Sequence, residues 1–181
     1  CFTKNIVIMA TKTLSNDFMQ RIAEEGAWKE LSNELSWTEA LLEKYQDKID
    51  WQELSENRNV LWTIPMLHKF KRRINWDKLS RYADENTLTE NCIETFKEKW
   101  NWGELSDNRS ITNQLLEKFA DKWDWESIID NYNRDLFSSN SAIEFYERYK
   151  DYIPAAKLQG SSLWNEIVEQ RKKQILSEIT A

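Results

Sequence analysis

Large apolar residues recur along the chain in two alternating patterns, and the alternation predicts pairs of helices. In the first pattern a Trp and a Leu stand three residues apart, as at Trp51 and Leu54, so that both lie on one face of a short helix. In the second pattern apolar residues follow at steps of one and three, as at Leu115, Leu116 and Phe119, which draws a single helical stripe. We therefore predict a short helix followed by a longer helix in each unit.

The unit recurs at nearly constant length. The Trp residues that begin it are Trp28, Trp51, Trp76, Trp102 and Trp125, with spacings of 23, 25, 26 and 23 residues. A period of about 23–28 residues is typical of helical-repeat proteins, whose units bury their apolar stripes only by stacking on one another. The pattern predicts an all-α fold, specifically an α-solenoid of short helix–long helix repeats with a right-handed superhelix. Neighbouring repeated Trp residues are expected to form a continuous ridge.

Polar residues predict where each short helix begins and ends. Asp50 and Asn101 directly precede a repeated Trp and are favourable N-caps, and a Glu three residues later completes a capping box. Asn57 and Asn108 follow the Leu of each unit. Because Asn tolerates the left-handed conformation, we expect both to end the short helix in that conformation.

The beginnings of the longer helices are predicted in the same way. Ser36, Thr87 and Ser110 each stand three residues before a Glu or Asn, as the first residue of a capping box does. Pro65 is tolerated only in the first turn of a helix, so the longer helix of the second repeat is predicted to begin near Thr63.

The repeats divide the chain into segments. Residues 1–12 match no later segment and are predicted to form an N-terminal arm, either disordered or packed on the first repeat. Residues 13–181 are predicted to form one helical-repeat domain. Within it, we expect an N-terminal cap at 13–27, about five repeats over 28–153 and a C-terminal capping helix at 154–181.

The stretch from Trp37 to Trp51 reads Trp-Thr-Glu-Ala-Leu-Leu-Glu-Lys-Tyr-Gln-Asp-Lys-Ile-Asp-Trp. It resembles the tandem repeat of a family of bacterial proteins, many from Bacteroidetes, with copies close to W-x-x-L-S-x-N…W-S-x-E-L-I-E-K-F-x-D-K-W-D-W. The resemblance covers residues 28–131. It implies an α-solenoid, but no activity is associated with the family, so it implies no site residues.

Composition narrows the range of functions. With only three Gly, the chain offers no glycine-rich phosphate loop, and it contains no G-x-S-x-G nucleophile motif. The net charge of −6 is opposite to that of a broad nucleic-acid-binding surface. We therefore expect a protein that is not an enzyme and that holds no cofactor.

Metal ligands and reactive cysteines are also scarce. The single histidine, His68, has no His, Cys, Asp or Glu cluster with metal-ligand spacing around it, so we interpret it as a surface residue and predict no metal site. Cys92 lies on the apolar side of a predicted helix and is expected to be a buried thiol. No apolar run is long enough to span a membrane, which favours a cytoplasmic protein. A mature lipoprotein also begins with cysteine, so a lipid-anchored form beginning at Cys1 stays an alternative.

Candidate partner-binding residues come from three surfaces. One is the turn after the short helix, one is the single strongly basic run of the chain, and one is a recurring charged position on the longer helix, which a partner would contact along a concave face. The residues are Arg58 and Arg109 in the turns, Lys69, Lys71, Arg72 and Arg73 in the basic run, and Glu43, His68, Glu94 and Glu117 on the longer helices.

These features favour a non-enzymatic module or scaffold that binds a protein or a peptide. One alternative is a protein that contacts nucleic acid through residues 69–73 and through exposed aromatic residues such as Trp37 and Trp62. A second alternative is an enzyme whose site lies between repeats, where no sequence motif would mark it.

Overall fold

The computed structural model describes residues 2–180, with side chains from Asp17 onward. Over these residues the chain forms twelve helices and no strand, which confirms the all-α prediction. The helices are α1 (Phe2–Glu34), α2 (Glu39–Tyr45), α3 (Trp51–Glu56), α4 (Ile64–Phe70), α5 (Trp76–Tyr82), α6 (Glu90–Thr95), α7 (Trp102–Ser106), α8 (Asn113–Lys118), α9 (Trp125–Asp130), α10 (Ala142–Tyr149), α11 (Ala155–Leu158) and α12 (Ser162–Thr180).

The helices that carry the repeated Trp residues pack in sequence. Helix α1 contacts α3, α3 contacts α5, α5 contacts α7 and α7 contacts α9, while α12 contacts α9 and α10. One apolar core runs through all of these contacts. The intervening helices place fully buried apolar side chains in that core, namely Leu42, Leu67, Ile93 and Leu116.

The second helix of a repeat is not consistently the longer one, contrary to the prediction. In the second repeat α3 has 6 residues and α4 has 7, whereas in the third repeat α5 has 7 and α6 has 6. The end of the predicted stripe, Ile74, lies in the turn after α4. At this turn Trp76 Nε1 donates to the backbone oxygen of Lys71 at 3.0 Å. An indole N–H thus satisfies a carbonyl group that a longer helix would have bonded internally.

Helix N-caps are partly as predicted. Asp50 and Asn101 cap α3 and α7, and Thr63 caps α4 with Pro65 in its first turn. Ser36, Thr87 and Ser110 are not caps, because the residue that follows each of them is a buried apolar residue that the chain places in the core while it is still extended. The helices therefore begin two residues later than predicted, and their caps are Thr38, Thr89 and Thr112.

The N-terminal segments form one helix rather than two. The predicted arm of residues 1–12 is helical from Phe2 onward, and Cys1 lies outside the described residues. The predicted break before Trp28 is absent. Ala27 occupies the position that Asp50 and Asn101 hold in later repeats, and because alanine has no side-chain oxygen to cap a new helix, α1 continues.

Candidate partner-binding surface

A repeat begins with the segment Trp-x-x-Leu-Ser-x-Asn, as at 51–57 and 102–108, which we call the repeat phrase. Its Ser links each repeat to the next. Ser55 Oγ donates to the backbone oxygen of Trp51 at 2.6 Å and accepts from the backbone N–H of Asn75 at 2.9 Å. At Asp50 and Asn101, the backbone N–H that the predicted capping-box Glu was expected to bond donates instead to the Ser of the preceding repeat. The same two bonds occur at Ser32, Ser80 and Ser106.

The Asn of the repeat phrase is a second link. Asn57 is 4% exposed, and its Nδ2 donates to the backbone oxygens of Ser32 and Leu35, both at 2.8 Å. Its Oδ1 accepts from the backbone N–H of Asn59 at 2.8 Å. Asn57 has φ −72° and ψ 110°, so the prediction of a left-handed helix stop is wrong. An extended backbone aims the amide at the preceding repeat, and Asn108 and Asn131 make equivalent bonds.

The repeated Trp residues do not form a continuous ridge of their own. Each packs instead on an aromatic ring from the second helix of its repeat, and the ring centroids of Trp76 and Phe96 lie 5.3 Å apart. Trp100 adds an edge-on contact to Trp76 at 5.2 Å. The side chains of the repeat phrase therefore serve packing and hydrogen bonding between helices.

The predicted basic run is partly neutralised within the chain. Lys69 forms ion pairs with Glu39, at 3.0 Å, and with Glu43. Arg73 Nη2 lies 2.9 Å from Asp47 Oδ1, so a second base of the run is also paired. Both sets of acidic partners belong to the preceding repeat, which makes these contacts structural.

The rest of the basic run lines an open cavity of about 660 Å³. Lys71 and Arg72 are exposed there and make no ion pair with the described residues. The structure thus brings the predicted residues Glu43, Lys69, Lys71, Arg72 and Arg73 to one place. Two of the four bases are free to attract an anion there.

The other predicted residues of the second helices are dispersed. The ring of His68 packs at a tilt against Phe96 with ring centroids 4.7 Å apart, and Glu94 pairs with Lys97 at 3.2 Å. Glu117 is exposed on α8. These three residues lie on three different helices, α4, α6 and α8.

Trp37 and Trp62 cannot serve as exposed contacts. They are 5% and 3% exposed and belong to the core. Each lies in the extended segment before a second helix, directly before the N-cap of that helix.

Arg58 and Arg109, by contrast, meet in one groove of about 540 Å³. We refer to it as the Arg–Tyr groove, because its walls include Arg58, Arg81, Tyr82, Arg109 and Tyr132. The guanidinium carbon of Arg58 lies 5.7 Å from the ring centre of Tyr82, and that of Arg109 lies 6.0 Å from the ring centre of Tyr132. Both distances place the cation over an aromatic face.

The groove follows one edge of the repeat array. Arg58 follows α3, Tyr82 ends α5, Arg109 follows α7 and Tyr132 follows α9, so the groove crosses four successive helices of the same kind. Each arginine reaches the tyrosine of the next repeat. Its backbone is held in place by the preceding Asn, which is bonded to the repeat before.

Of the three arginines in the Arg–Tyr groove, only Arg81 forms an ion pair with the described residues. Arg81 Nη1 lies 2.7 Å from Glu104 Oε2 and 3.6 Å from Asp107 Oδ2. The hydrogen bond and charge of Glu104 raise the pKa of the Arg81 guanidinium. Arg58 and Arg109 have no carboxylate at ion-pair distance among the described residues. Tyr132 is 77% exposed, which makes it the most exposed large apolar side chain described in the chain.

Sequence reasoning found the two arginines and missed the tyrosines. One signal was available, because Tyr132 follows Asn131 just as Arg109 follows Asn108. The position after this Asn is therefore a recurring surface position. Tyr82 carries no such signal, since it replaces the Asn of its repeat.

Other chemistry is limited in the part of the chain that the structure describes. No group of three His, Cys, Asp or Glu side chains converges there as a metal site would require. Cys92 is buried, as predicted, and burial raises the pKa of its thiol to about 12. No helix within residues 2–180 combines the length and the apolar character needed to cross a bilayer.

Comparison of the chain with protein-family models, with curated proteins and with solved structures found no match. The resemblance of residues 28–131 to bacterial tandem repeats therefore stays a prediction.

Proposed function

We propose that the chain is a short, right-handed α-solenoid that acts as a non-enzymatic binding module or scaffold, and that its partner is a protein or peptide held in the Arg–Tyr groove. One observation carries the proposal. The groove crosses four successive repeats and presents two arginines and the exposed ring of Tyr132, whereas the residues of the repeat phrase are already bonded to one another.

The side chains of the groove suit a polypeptide partner. Arg and Tyr are enriched in protein interfaces because they offer a large contact area together with hydrogen-bonding groups. The groove is also anchored, since Asn57 and Asn108 fix the turns that carry Arg58 and Arg109. A surface that is already ordered loses less conformational entropy when a partner binds.

A nucleic-acid partner has weaker support. Lys69 and Arg73 are paired with carboxylates, which leaves Lys71 and Arg72 as the free charges of the basic run. Trp37 and Trp62 are buried and offer no ring on which a base could stack. The whole chain carries a net charge of −6.

An enzyme site has weaker support as well. A carboxyl group that acts as a general acid at neutral pH needs a raised pKa. The described carboxyl groups whose pKa departs from its ordinary value are all shifted down, as at Glu24, where the hydrogen bond from Lys48 is the main cause. The others are Glu53, Asp84 and Glu90.

Selection of peptides from a random display library on the immobilised chain tests the proposal. We expect enriched peptides to bind the unmodified chain and to lose binding to Arg58→Ala/Tyr132→Ala. The matched control is Lys71→Ala/Arg72→Ala, which alters the other cavity and should bind the same peptides. If the library yields no peptide that depends on the groove, the proposal is wrong. Binding lost only in the control variant would move the site to the basic run.

A further inference from the structure

We infer that the segment bound in the Arg–Tyr groove is an extended acidic peptide, an inference that rests on the proposed function. The guanidinium carbons of Arg58 and Arg109 lie over tyrosine rings, 5.7 and 6.0 Å from the ring centres. A contact with an aromatic ring uses none of the guanidinium N–H groups as hydrogen-bond donors to an oxygen, and those N–H groups match a carboxylate with two parallel hydrogen bonds. Neither arginine has such a partner within the described part of the chain.

The other charged side chains of the groove make contacts within the chain. Arg81 is paired with Glu104 and Asp107. Asp130 Oδ1 accepts from the backbone N–H of Ser162 at 2.9 Å, and its carboxylate keeps its negative charge. Arg58 and Arg109 are therefore the two arginines of the groove that offer a ligand a positive charge without an ion-pair partner among the described residues.

The order of side chains favours a particular ligand pattern. Along the array the groove presents Arg58, then Tyr82, then Arg109, then Tyr132. A peptide in which carboxylates alternate with apolar side chains would place the carboxylates on the arginines and the apolar groups on the tyrosine rings. Because successive side chains of an extended strand point to opposite sides, such a peptide carries its acidic side chains on one face and its apolar side chains on the other.

A nucleic acid fits this arrangement less well. Its backbone carries a charge at every nucleotide. Phosphates that do not meet an arginine would lie against Asp107 and Asp130, which also line the groove. Isolated carboxylates on a peptide avoid this repulsion.

Fluorescence anisotropy with a labelled, capped octapeptide of alternating Glu and Val tests the inference. We expect saturable binding that weakens as salt is added, because the contacts are ionic and partly exposed. Arg58→Gln/Arg109→Gln should weaken binding at least about tenfold, because both charge-assisted contacts with the carboxylates are removed. Lys71→Gln/Arg72→Gln, with the same change in net charge, should leave binding unchanged.

Two further probes separate the outcomes. The same octapeptide with Gln in place of Glu should bind at least about tenfold more weakly, and equal binding would overturn the acidic preference. A single-stranded oligo(dT) that binds more tightly than the acidic peptide and loses binding in Arg58→Gln/Arg109→Gln would replace a peptide partner by nucleic acid. If displayed peptides need the groove but are not acidic, this inference fails and the proposed function stands.

Discussion

The contact between two central repeats differs from the contact between the last repeat and the segment that follows it. The difference lies at two positions, the Ser of one repeat and the helix cap of the next. Between central repeats, Ser106 Oγ accepts from the backbone N–H of Asp124, the cap of α9. At the next boundary Ile129 takes the place of the Ser, and Pro154 takes the place of the cap. Proline has no N–H to donate and isoleucine has no oxygen to accept, so both partners of the bond are lost together and no polar group is left unsatisfied.

The aromatic packing ends at the same boundary. Tyr149 packs on Trp125 with ring centroids 4.9 Å apart, as the aromatic residues of earlier second helices pack on the Trp of their own repeat. The residue that would carry the next Trp is Ala155, which is exposed. Helix α12 covers α9 and α10 and buries Leu163 completely. The irregular sequence after Trp125 is thus a coordinated end of the array rather than a gradual loss of the repeat.

The largest effect is expected from a Trp within the central repeats. Trp102→Ala removes ring contacts to Phe119 and Trp123 at 5.6 and 5.2 Å. We expect a loss of about 4 kcal/mol in the free energy of unfolding, measured by urea denaturation. Trp164→Ala, in the exposed face of α12, should cost less than about 1 kcal/mol. Equal losses for the two variants would contradict the difference between the regions.

The next largest effect is expected where Ile129 and Pro154 replace the Ser and the helix cap of earlier repeats. Ile129→Ser places a hydroxyl in a fully buried site that has no N–H to bond, and we expect a loss of about 3 kcal/mol. Adding Pro154→Asp restores the N–H and the cap, so the double variant should recover about 1 kcal/mol relative to Ile129→Ser. A double-mutant cycle in denaturant measures the coupling, and strictly additive effects would refute the pairing.

A smaller effect is expected from the Asn link. Asn108→Ala leaves the backbone oxygens of Ser80 and Ala83 unpaired in the interior, which should cost about 2 kcal/mol of unfolding free energy. Asn113 donates in the same way to Asp135 and Leu136, on a surface that water reaches. Asn113→Ala is therefore the matched control, with an expected cost under about 1 kcal/mol. A larger drop in melting temperature for Asn113→Ala than for Asn108→Ala would contradict this prediction.

The interactions within one repeat were readable from the sequence. Asp50 caps α3 because its side chain reaches the backbone N–H groups of the residues two and three positions later, which depends on nothing outside that turn. The start of α2, which Thr38 caps, could not be predicted from neighbouring residues in this way. It depends on Trp37, whose ring must first enter a core that several repeats build together.

Part of the candidate site could also be predicted from the sequence, and part could not. Arg58 and Arg109 stood out because they recur after Asn. That they share a groove with Tyr82 and Tyr132 follows only from the way each turn lies beside the next. In the sequence Lys69 and Arg73 look like part of a basic patch. In the structure both are paired with carboxylates of the preceding repeat.

By itself the sequence determined the helical class, the repeat period and the caps of the first helices, because these depend on residues a few positions apart. The tertiary structure alone decided which polar side chains bridge the repeats, which Trp residues are buried and which arginines stay free of carboxylates. Those outcomes depend on contacts between residues about one repeat apart, such as Asn57 with Ser32, 25 positions away. The offset and rotation between stacked helices set such contacts, and no spacing within a single helix encodes them.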